Sequence, residues 1–147
     1  MNIWGLCQAI AQGIETTFGG SGVVVAADLR PTYDAQAIGG DTTIIVTPAE
    51  GEISVIARER LQYSDTIQVA FLAKVRRVDG GLDVDAVDDL LSLVDSTAQM
   101  LCRASYGEYV ATGEITRGND VTYYPDDIDA RIFAAVLRAT FMRTVSI

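Results

Sequence analysis

The chain has 147 residues, 49% of them hydrophobic and 21% charged, with only three prolines. That is the size of one domain, able to remove roughly 70% of its unfolded surface from water without a disulfide or metal to hold it together. Histidine is absent, and 20 Asp plus Glu against 11 Lys plus Arg leave a formal charge of −9. Histidine-based triads, His-bearing zinc sites and an imidazole switch near neutrality are excluded, and an acidic chain gains little by approaching a phosphate backbone.

In the first segment Ile3, Leu6, Cys7, Ile10, Ile14 and Phe18 recur at spacings of three and four, which predicts an amphipathic helix. No base precedes the apolar run and Gln8, Gln12 and Glu15 interrupt it, so it does not read as a signal peptide. Gly19-Gly20 is expected to end the helix through the left-handed conformation of a C-cap. The β-branched run from Gly22 to Leu29 predicts a strand that stops at Arg30-Pro31, followed by a loop from Thr32 to Asp41. Asp41 to Thr47 is a second strand, closed by Pro48, and Glu50-Gly51-Glu52 reads as a turn.

From there the period is two. Ile53 to Arg60 reads as a strand, and in the next one Ile67, Val69, Phe71, Ala73 and Val75 alternate with a mixed set, so one side faces a core. After a turn at Asp79-Gly80-Gly81, Val84, Val87, Leu90, Leu91, Val94, Ala98 and Leu101 make the stripe of a second helix, from about Asp83 to Arg103. Glu108 to Thr116 reads as a strand ending in a turn at Arg117-Gly118-Asn119-Asp120. Asp129 to Val145 fits both periods, but the strand formers of Thr140 to Ile147 favour a strand. The order predicts one α+β domain over residues 1–147, mainly antiparallel sheet with two amphipathic helices packed on one face. No window approaches 18 uninterrupted apolar residues, so no membrane span is expected and the expected compartment is the cytoplasm.

Few residues invite chemistry. Cys7 and Cys102 have no second cysteine nearby and sit on apolar stretches, where a thiol behaves as a small hydrophobe; a disulfide between them is the alternative. Asp83, Asp85, Asp88, Asp89 and Asp95 lack the glycine and terminal glutamate of a calcium loop and read as helix-capping and solvated carboxylates. Asp126, Asp127 and Asp129 read as a solvated loop or subunit contact, the alternative being a general acid/base pair, for which no nucleophile is in sight. Gly19-Gly-Ser-Gly22 lacks the Gly-Lys-Ser/Thr ending of a phosphate loop. Tyr123-Tyr124-Pro125 are candidate contact aromatics, and Trp4 is either a core or an interface residue. No metal, cofactor or catalytic residue is nominated.

Charge is segregated along the chain. Residues 79–95 hold six Asp and no base, 119–129 hold four Asp and no base, and 131–147 carry Arg131, Arg138 and Arg143 with no acid. Residues 58–77 hold five bases, Arg58 and Arg60 among them, against Glu59 and Asp65. Such a unit either pairs its charges internally or presents an acidic and a basic flank that attract head-to-tail copies.

This layout resembles the tail terminator family of tailed bacteriophages. The resemblance spans the chain and is carried by the amphipathic helix Ile3 to Phe18, Arg30-Pro-Thr-Tyr-Asp34 before Ile44-Ile-Val-Thr-Pro48, and Arg58-Glu59-Arg60. It continues through the alternating strand Ile67 to Val75 running into Asp85-Ala-Val-Asp-Asp-Leu-Leu91, and the closing Arg131-Ile-Phe-Ala-Ala-Val-Leu-Arg-Ala-Thr-Phe141. It implies a non-enzymatic homohexameric ring at the head-proximal end of the tail in the virion. The ring would cap the tail tube protein and meet a neck or head-tail connector protein, with DNA passing through it. On that view Asp126, Asp127, Asp129, Asp34 and Asp41 are the expected channel-facing acids, where carboxylates repel phosphate, and Arg58, Arg60, Arg131, Arg138, Arg143 and Trp4 the expected subunit-interface residues. Other expectations are another head-tail connector, a neck or tail tube subunit, a dimeric ligand-binding or adaptor domain, and a small cytoplasmic carboxylate-dependent enzyme.

Overall fold

The structure is a computed structural model that describes residues 1–20, 22–29, 42–78, 81–123 and 130–147. Its elements are α1 (Ile3–Phe18), β1 (Val23–Ala27), β2 (Thr42–Ala57), β3 (Arg60–Val78), β4 (Gly81–Leu82), α2 (Val84–Leu101), β5 (Ser105–Tyr106), β6 (Tyr109–Tyr123) and β7 (Ala130–Ser146). The sheet order is β1-β2-β3-β7-β6-β5, with β4 paired to β3, and the sheet curls into a half barrel. The expected α+β class holds: the sheet is antiparallel except for β1 and β2, which run parallel. Parallel neighbours need a crossover rather than a tight turn, and the residues between Ala27 and Thr42 supply the length.

Both helices pack on one face. Leu6, Cys7, Ile10 and Ile14 of α1 and Leu90, Val94 and Leu101 of α2 share one cluster with Ile44, Val46, Ile67, Val69, Phe71, Leu137 and Phe141. The inward residues of β3 are those its alternation predicts. Val84 departs from its predicted stripe: it opens α2 and is 74% exposed. Among the described residues no helix is long and apolar enough to cross a membrane.

α1 begins where Asn2 accepts the Gly5 amide at 3.0 Å. It ends at Gly19, but in extended rather than left-handed conformation (φ −61°). Glycine is needed there because a Cβ would collide with the Glu15 carbonyl, to which Gly19 donates at 2.9 Å.

Two expected turns are strand instead. β2 runs through Pro48 and Glu50-Gly51-Glu52, because Pro48 lies beyond the last β1 partner, Val46, and next to a register shift where the ladder to β3 is already interrupted. The turn falls at Arg58-Glu59, with Glu59 left-handed at φ 66°. Likewise β6 runs through Arg117-Gly118-Asn119-Asp120 to Tyr123, since pairing with β7 outweighs the local turn propensity. β7 is the predicted strand, hydrogen-bonded to β3 on one side and β6 on the other.

Candidate functional site

The long strands project past the helices. Residues Ala49 to Arg60 are all exposed, and the ends of β2, β3 and β7 form a three-stranded arm in which Val55 pairs with Leu61 and Leu61 with Val145. Ile147, the residue after β7, donates its amide to the Glu59 carbonyl at 2.8 Å, tying the third strand to the turn. Alternation puts Ile53, Val55, Leu61, Tyr63 and Val145 on the side of the sheet that farther along holds the core. With neither α1 nor α2 above them, Ile53 is 61% and Val55 73% exposed among the described residues.

A buried polar cluster closes the base of the arm. Asp65 points inward in the same alternation as Ile67 and Val69 and accepts a hydrogen bond from the Tyr109 hydroxyl. Opposite Asp65 on β2 stands Gly51, where any Cβ would overlap Asp65 Oδ1. Arg143, paired with Tyr63, holds its guanidinium carbon 4.2 Å from the Tyr63 ring centre and 5.3 Å from that of Tyr109. Its buried Nε has no hydrogen-bond partner, so the aromatic faces are its main described company.

The electrostatics of this cluster work against nucleophilic chemistry. Burial, aided by the charge of Asp65, pushes the Cys7 thiol up to about 12. Burial and the bond to Asp65 also push the Tyr109 phenol up to about 12, with Arg143 pulling the other way. Near neutrality both groups stay protonated, and a thiol rather than a thiolate is a poor nucleophile. Both cysteines are free: the Cys102 thiol donates to the Gln99 carbonyl at 3.1 Å, and the alternative disulfide is not formed.

The residues expected at an interface fall in separate places. Arg58 and Arg60 are at the exposed arm tip, and Arg143 is in the cluster at its base. Arg138 lies on the opposite face of β7 and pairs with Glu50 at 3.5 Å. Trp4 is half-buried and packs on the core from α1. Arg131 has a place in the ladder, opposite Val75 and Tyr123. Asp34, Asp41, Asp126, Asp127 and Asp129 lie outside the described residues, as do the predicted loop from Thr32 to Asp41 and most of the turn at Asp79-Gly80-Gly81.

The carboxylates of α2 behave as expected of helix caps and a solvated face. Asp83 accepts the Ala86 amide at 3.3 Å as N-cap, Asp85, Asp88 and Asp89 are exposed, and Asp95 pairs with Arg117 at 2.9 Å. Among the described residues no group of acids or cysteines is arranged to hold a metal.

Sequence reasoning missed Asp65 and Tyr109. The legible signal was an aspartate in register with the inward residues of an otherwise apolar strand, a position that demands a buried donor. Compared with known proteins, the sequence matches no protein-family model and no curated protein.

Proposed function

We propose that this protein is a structural subunit that assembles into a ring, and that the ring closes the tube of a phage tail and joins it to the head. The observation that carries the reading is the arm. A three-stranded extension with Ile53 and Val55 largely exposed contributes little to its own monomer's core, and exposed strands of this kind are normally shielded, charged or used for contact. The acidic charge suits a channel through which DNA slides, since carboxylates at its wall repel phosphate. Asp34, Asp41, Asp126, Asp127 and Asp129 remain the candidates for that wall. The tail tube protein and a neck or connector protein would be its partners, and the head-proximal end of the virion tail its place.

Particle mass tests the ring. Light scattering and negative-stain imaging are expected to show six-fold particles of about six protomers, as a closed cyclic assembly requires. A strict monomer at high concentration and in the presence of tail tubes would overturn the proposal. Replacing the five aspartates by asparagine tests the channel separately: rings are expected to persist while DNA passage slows, and unchanged infectivity would remove the electrostatic component.

A further inference from the structure

We infer that the arm of one copy docks on the N-terminal half of α2 in the next copy, a head-to-tail contact that rests on the self-assembling reading above. The occupant of the arm's apolar face is therefore a second copy of this chain.

Two surfaces left uncovered among the described residues complement each other. The arm offers Ile53, Val55 and Leu61 in one row, with Arg58 and Arg60 at the tip, and Ile53 to Tyr63 carries two bases against the single acid Glu59. The start of α2 offers Val84, 74% exposed, beside the exposed carboxylates of Asp85, Asp88 and Asp89, in a stretch from residue 79 to 95 that contains no base. Among the described residues no cation is paired with those three aspartates. Apolar contact with charges of opposite sign at its rim supplies both burial and steering.

The two surfaces cannot meet within one molecule. Val55 pairs with Leu61 near the start of β3, whereas β4, which leads into α2, pairs with Arg77 and Val78 at its far end. At about 3.3 Å per residue, roughly 50 Å of strand separates them. Unlike patches at opposite ends of one subunit make a heterologous interface, which propagates and closes into a ring where the rotation permits. An arm-to-arm contact, by contrast, would be isologous, stop at two copies, and set Arg58 and Arg60 against their own equivalents.

Site-directed cross-linking tests this on the full chain, in a Cys102→Ser background with Cys7 left in its buried position. Val55→Cys protein mixed with Val84→Cys protein and treated with a short bismaleimide is expected to give covalent dimers, whereas neither protein alone does so. Val55→Glu and Arg58→Glu/Arg60→Glu are each expected to raise the concentration for half-assembly about tenfold or more, the usual effect of spoiling a central contact. Adding Asp85→Lys/Asp88→Lys to the double arginine variant is expected to restore assembly. All these positions are exposed, and circular dichroism checks that each variant folds. Dimers from Val55→Cys alone, or six-fold rings that tolerate Val55→Glu and yield no mixed cross-link, overturn the contact while the ring stands. Mixed cross-links from particles that never close overturn the ring while the contact stands.

Discussion

The phenol of Tyr109, at the start of β6, donates its hydrogen bond to the carboxylate of Asp65 in the middle of β3, and both side chains are buried. With β7 lying between those two strands, this bond fastens three neighbouring strands where the arm leaves the core. Tyr109→Phe removes the donor and leaves a buried carboxylate short of a partner, for which a cost of about 1–3 kcal/mol is expected. Tyr63→Phe keeps the ring that Arg143 stacks on and is expected to cost within ~0.5 kcal/mol. Urea unfolding of the two variants checks the difference; equal stabilities would remove the clamp.

Stability is expected to be flat from pH 7 to about 9 and to fall above it. Cys7 and Tyr109 both hold their protons more tightly folded than unfolded: the thiol moves from 9.0 to about 12 and the phenol from 10.0 to about 12. Below the unfolded values both states are protonated and nothing is lost. Above them the unfolded chain releases protons that the fold retains, so the fold loses stability as pH rises toward 12. The loss is fully absent below the unfolded values and grows through the window between them and about pH 12. Cys7→Ala is expected to delay the onset from about pH 9 to about pH 10, where the phenol begins to titrate. A chemical-denaturation series across this range that stays level would contradict the assignment.

Gly51→Ala is expected to destabilise the protein by about 1–3 kcal/mol, because even a methyl must push Asp65 off its bond or force the paired strands β2 and β3 apart. The same change at Gly20, where a Cβ meets nothing within 4 Å, is expected to be near neutral. Thermal unfolding of the two single variants measures the contrast.

Glu59 occupies the left-handed region at the arm turn, which costs a non-glycine residue about 1 kcal/mol. Glu59→Gly is expected to raise stability by roughly 0.5–1 kcal/mol, provided the Ile147 amide keeps its bond to the backbone carbonyl of residue 59. A lower midpoint would indicate that the Glu59 side chain contributes more than its backbone costs.

Periodicity alone determined much of this protein. The three-four spacing of Leu6, Cys7, Ile10 and Ile14 and the alternation of Ile67 through Val75 are local properties, and each defines a face before any partner exists. Where local chemistry and pairing disagreed, pairing prevailed. Pro48, Gly51 and Gly118 read as stops because each weakens an isolated strand, yet neighbouring strands carry Gly51 and Gly118 in unbroken runs of pairing and accommodate Pro48 beside a register shift. The partner of Asp65, the aromatic setting of Arg143 and the exposure of Val55 belong to tertiary structure alone. They depend on which strands lie side by side and how far those strands outrun the helices, and no spacing along the chain encodes either.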